Sequence, residues 1–168
     1  MAMKTAKKTA PGIKLGSLVK DSITGFTGIA VGRVEFVFGC IHIRVQGQGL
    51  TRDGAPISIH SFDDQRIDVI RPPAKSWPKP KVSTIKLGDT VRGTLNGVVG
   101  VVSGRSVGLD GLVTYIVERP GMTPDGDPKA ALSIDSDRLE VVTRRKLKVS
   151  KDSVATSGGP MTRTVVAH

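Results

Sequence analysis

Residues 13–70 and 85–142 of this chain align with each other without a gap. The run Gly25-Phe26-Thr27-Gly28-Ile29-Ala30-Val31-Gly32-Arg33 lies on Gly97-Val98-Val99-Gly100-Val101-Val102-Ser103-Gly104-Arg105, 72 positions further on. Of the 58 aligned pairs 20 are identical, and many others exchange one aliphatic residue for another. An ungapped match of that length constrains the fold more than any composition does, because one backbone has to suit both windows. We read it as an internal duplication. Two copies are too few for a solenoid, so each copy is expected to be a closed unit.

Both windows read as short strands separated by turn residues. A first strand runs over Leu15 to Ile23 and ends in Thr24-Gly25, whose counterpart Asn96-Gly97 is a hairpin signal. A second runs over Thr27 to Phe36, or Val98 to Val107. Gly32 and Gly104 interrupt these strands, which suggests a bulge or a sharp bend. Gly39 and Gly111 mark the next turn, before third strands at Cys40–Val45 and Leu112–Val117. Asp53-Gly54 and Asp125-Gly126 fall in a longer loop. Fourth strands near Ile57–Phe62 and Ala130–Ile134 lead through a polar turn into a last strand, Arg66–Ile70 or Arg138–Val142.

The fold class is therefore all-β. Five short strands with one helical turn before the fifth resemble an SH3-like barrel. The Leu-Gly-x-x-Val opening at Leu15 and Leu87, with the Gly-x-x-Gly that follows, resembles a KOW-type module. The resemblance implies two tandem small barrels. A barrel that small bends its strands hard, and glycine permits the bend. The alternative, a phosphate cradle, needs consecutive amides at a helix N-terminus, and no helix follows these glycines.

Charge divides the chain into five segments. The arm 1–12 carries net +3, from Lys4, Lys7 and Lys8. Window 13–70 is neutral, the linker 71–84 carries +4, window 85–142 carries −2, and the tail 143–168 carries +5. The segments outside the two windows carry +12 and the windows −2, so all the positive excess lies outside them. A barrel that binds nucleic acid on its own face is expected to be basic and to offer aromatics for stacking. Neither window is basic, and aromatics make up 4% of the chain. The basic connectors are expected to lie along an acidic protein surface. The alternatives are a nonspecific grip on phosphates and plain solubilising tails. The candidate partner-binding residues are Lys4, Lys7, Lys8, Arg71, Lys75, Trp77, Lys79, Lys81, Arg144, Arg145, Lys146 and Lys148. Trp77 sits among four prolines in a segment suited to extended, semi-rigid backbone. There it is either an anchor for a partner or a wedge between the barrels, and we favour the wedge. The tail's Thr-Val-Val-Ala suits addition to a sheet edge.

No catalytic constellation stands out, and no cofactor is implied. Cys40 is the only cysteine, so no internal disulfide forms. Cys40 is expected to point into the core, because Leu112 replaces it in the second window. Cys40 and His42 share a strand face, but a metal site needs further ligands. The pair Asp63-Asp64 reads as a turn cap. With no long apolar run and no secretory signal, a protein of a reducing compartment, or of a particle assembled there, is expected.

The Thr-Gly-Phe-Thr-Gly-Ile-Ala run ahead of an SH3-like pattern resembles small virion proteins of tailed bacteriophages. That resemblance implies a head decoration, or cement, protein. It would be present in many copies, assembled in the host cytoplasm, and would bind a major capsid protein or another virion protein away from any membrane. A KOW-like nucleic-acid- or ribosome-binding protein and an adaptor of the tail or head–tail connector are the alternatives.

Overall fold

A computed structural model describes residues 12–144 of the chain. Ten strands form one antiparallel sheet. The first half contributes β1 (Leu18–Asp21), β2 (Thr27–Phe36), β3 (Ile41–Gly47), β4 (Ile59–Asp63) and β5 (Ile67–Arg71). The second contributes β6 (Thr90–Gly93), β7 (Val99–Gly108), β8 (Val113–Glu118), β9 (Leu132–Asp135) and β10 (Leu139–Thr143). Helical structure among the described residues consists of two single 3-10 turns, Asp64–Arg66 and Ser136–Arg138, each ahead of the last strand of its half. No helix there is long and apolar enough to cross a membrane.

The starts of the corresponding elements are spaced by 72 or 73 residues. The strand order is β5-β1-β2-β3-β4 in the first half and β10-β6-β7-β8-β9 in the second. Among the described strands no ladder joins β4 to β5 or β9 to β10. β2 matches the expected bounds at both ends. The strand expected over Leu15–Ile23 shortens to β1, because Leu15 and Gly16 form a turn in which Gly16 takes φ 88°. The interior glycines act as anticipated. Register shifts fall between Ala30 and Gly32 and between Val102 and Gly104, so each long strand is bulged at the residue just before its glycine, Val31 or Ser103.

Alternation along the strands builds two cores. Val19, Ala30, Ile43, Val45 and Ile67 form one, and Ile85, Val91, Val102, Val107, Val113, Tyr115, Val117 and Leu139 form the other. Leu15 packs against both. The second core replaces Ile43 with Tyr115, whose hydroxyl donates to the Ile85 carbonyl at 3.1 Å.

A ladder between β2 and β7 fuses the halves. Its register runs from Gly32 opposite Gly108, through Val34 opposite Ser106, to Phe36 opposite Gly104. The central pair is 72 positions apart, and the flanking pairs exchange under the same shift. The ladder is therefore a twofold, self-complementary contact within one chain. Two further bonds obey the same rule: Val37 N–H donates to Ser103 O at 2.8 Å, and Leu109 N–H donates to Val31 O at 2.9 Å. A reading as two bodies on a spacer does not contain this ladder. β1 pairs with β2 over Thr27–Ile29 and β6 with β7 over Val99–Val101, and the inter-half ladder takes the remainder of those edges.

Candidate functional site

Six of the twelve basic and aromatic candidates lie in or beside the proline-rich connector. Lys4, Lys7, Lys8, Arg145, Lys146 and Lys148 lie outside the described residues, as does the tail's Thr-Val-Val-Ala. Of the other six, Arg71 belongs to β5 and pairs with Leu18, so the connector starts one residue later than its composition indicates. At the far end β10 extends to Thr143. Arg144 donates to the Thr84 carbonyl at 3.1 Å and sits 3.6 Å from the buried Asp89 carboxylate. Thr143 and Arg144, which charge alone assigns to the tail, thus belong with the second half.

The connector is pinned at two points. Trp77 lays its indole on Gly16, where a side chain of any size would collide with the ring nitrogen. Trp77 and the neighbouring prolines share a groove with Val107, Gly108 and Leu109 of the second half. The ammonium of Lys75 stands 4.2 Å from the Trp77 ring centroid, a cation–π contact. Further along, Lys81 N–H donates to Gly111 O at 3.0 Å, and Lys81 Nζ meets Asp137 at 2.7 Å. Each member of that ion pair shifts the other toward its charged form. Lys75 and Lys79 present the connector's cations to solvent, and Arg71 is exposed at the end of β5.

A buried ion pair supports the first half. Asp21 is fully buried at the end of β1 and accepts from Arg66 Nε at 2.9 Å and Arg66 Nη2 at 2.8 Å. The Thr24 N–H donates to it at 2.8 Å. The Arg66 guanidinium holds the Asp21 carboxyl well below the ordinary carboxylate range, against the opposing effect of burial, and Thr24 adds to the depression. Sequence reading missed this pair. Its only trace is that Arg66 persists as Arg138 while Asp21 becomes Gly93.

Cys40 corrects an expectation. The sequence places it in the core; in the structure it is exposed. The reason is register. Ile41 begins β3 and Ile43 fills the core, so Cys40 and His42 fall on the opposite face. Its counterpart Leu112 is 39% exposed, so an aliphatic counterpart was not evidence of burial. Asp63 lies directly across the ladder from His42. One donor atom from each of Cys40, His42 and Asp63 lies within 4.8 Å of the others. Asp63 also caps the 3-10 turn as expected, with Oδ1 accepting from Gln65 N–H at 2.9 Å. Partial desolvation and the carboxylates of Asp63 and Asp64 raise the Cys40 thiol above its ordinary value. Burial and Asp63 likewise raise Asp64.

Comparison with family models, with curated proteins and with solved structures finds no match to this chain. The functional reading therefore rests on the geometry above.

Proposed function

We propose that this chain is a non-enzymatic structural protein that docks on an acidic protein surface within a multi-subunit particle, as a head decoration protein of a tailed bacteriophage does. One observation carries the reading: the positive excess lies on the connector and the terminal segments, outside a fused sheet whose two windows are neutral or acidic. On this reading each half is an SH3-like barrel descended from one duplicated module. The strand order, the 3-10 turn before each last strand and the regular spacing of about 72 residues support that descent. The fused sheet is the rigid body, and the basic segments reach over neighbouring subunits. Segments that order on docking cover much surface per residue, and many copies on a lattice add avidity.

The test is cosedimentation with purified particles that lack the chain. Full-length protein is expected to saturate them, and variants without residues 1–12 or without 145–168 to bind at least about tenfold more weakly. The second cut is placed at 145 so that the Arg144 contacts survive. Equal saturation by the trimmed proteins rejects the proposal. A parallel titration with mixed-sequence DNA and RNA at about 0.15 M salt is expected to show weak binding. Submicromolar affinity with a steep salt slope that vanishes on trimming would favour nucleic acid instead.

A further inference from the structure

The three donors on the outer face of the first half make up a set that the second half lacks. Cys40 offers a thiol, His42 an imidazole nitrogen and Asp63 a carboxylate oxygen. Two backbone hydrogen bonds hold the turn that presents Cys40. Phe36 N–H donates to Cys40 O at 2.9 Å, and Gly39 N–H donates to Phe36 O at 2.9 Å, which closes the turn that carries Cys40. Gly39 holds φ 89° there, a conformation suited to glycine. His42 and Asp63 are cross-strand partners, which places their side chains on one face. The Gln65 amide occupies Oδ1 of Asp63, so Oδ2 is the oxygen left facing the thiol, 4.0 Å from Sγ. The His42 ring is braced edge-on against Phe36, with centroids 5.3 Å apart. Asp64 lines the same surface pocket as Cys40 and Asp63. Arg66, the cation of that pocket, has its guanidinium bonded to Asp21.

The second half supplies an internal control. Leu112, Thr114 and Asp135 stand at the corresponding places on the same turn, strand and cap. The Gly108 and Gly111 amides close that turn with the same pattern. The framework therefore forms without a thiol or an imidazole, and the donor set in the first half is not needed to build it.

We propose that Cys40, His42 and Asp63 bind one divalent transition-metal ion of the zinc class. A thiolate, an imidazole and a carboxylate together select a borderline-soft ion over magnesium or calcium, which take oxygen donors. Metal–sulfur and metal–nitrogen bonds of about 2.3 and 2.0 Å require donor atoms roughly 3.5 Å apart. The present donors lie within 4.8 Å of one another, and Cys40 is exposed, so closing to that spacing asks for a side-chain rotation and no change of the backbone register. Binding forms the metal–sulfur bond and releases the thiol proton to solvent, with no change of oxidation state. Three protein ligands leave a fourth position for water.

The experiment is a cobalt(II) and zinc(II) titration of the full-length, metal-stripped, reduced protein, followed by absorbance and calorimetry. One ion per chain is expected, with a thiolate-to-cobalt charge-transfer band and the intense visible bands of tetrahedral cobalt. Cys40→Leu and His42→Thr install the residues of the second half, on a backbone that already accommodates them. Each is expected to abolish the charge-transfer band or to weaken zinc binding at least about tenfold, as is Asp63→Asn. His60→Leu, the matching change at the histidine outside the cluster, is expected to leave binding intact. Absence of the charge-transfer band in the parent protein overturns the proposal. So does unchanged zinc affinity in any one of the three ligand variants when its circular dichroism matches the parent.

Discussion

The two halves of this molecule share a strand order and differ in what stabilises it. The first half closes its β1–β5 corner with a buried carboxylate, Asp21, held by both arms of Arg66. The second has Gly93 there, the Asn96 side chain fills the space, and Arg138 stands 3.9 Å from Asp135 at the surface. The second half instead carries the larger core residue, Tyr115 in place of Ile43, and its own buried carboxylate, Asp89, beside Arg144. The lesson is that strand bounds, bulges and turns follow from positions common to both windows. The polar interactions that complete each half do not.

The comparison is most exposed to failure at the shared glycines. A side chain at Gly28 meets the Gln46 carbonyl group, with its carbon at 2.8 Å, and Val45 at 2.9 Å. One at Gly100 meets Val117 at 2.6 Å and the Glu118 carbonyl group, with its carbon at 3.0 Å. Gly28→Ala and Gly100→Ala are each expected to cost about 3 kcal/mol, the upper end for overpacking against backbone. Urea midpoints check this, and a large effect in one half only would break the equivalence.

A smaller loss, confined to the first half, is expected for Asp21→Asn, because Arg66 keeps 36% of its side chain in water. Its signature is acid dependence. The folded-state carboxyl of Asp21 lies below its ordinary 3.8, so its contribution is full above that value and is lost as pH falls toward the depressed one. The parent is expected to weaken between about pH 4 and pH 2 more steeply than Asp21→Asn. Parallel acid profiles would refute the assignment.

The smallest change separates the cores. Tyr115→Phe removes the donor to the buried Ile85 carbonyl and is expected to cost about 1 kcal/mol. The hydroxyl has no counterpart at Ile43, so no matching change exists in the first half.

Much of this was legible before any coordinates. Local periodicity placed β2 and the last-strand turns, glycine inside a strand marked the bulges beside Gly32 and Gly104, and the turns at Gly39 and Gly111 rest on glycine's freedom at positive φ. The candidate site was far less legible. Composition could not show Arg71 pairing within β5, Trp77 lying on Gly16 or Arg144 reaching Thr84. For Cys40, substitution by leucine suggested burial, while strand register put both residues on the outer face.

By itself, then, the sequence determined an all-β chain, its 72-residue recurrence, and a positive excess kept off the recurring windows. Those properties are carried by neighbours in the chain and by counting. Only the tertiary structure decided that β2 and β7 pair across the two halves, that Leu15 serves both cores, and that Cys40, His42 and Asp63 converge. Each of these depends on which strand edges and faces meet after folding. Such pairings join residues far apart in the chain, and their free energy resides in geometry that no local pattern records.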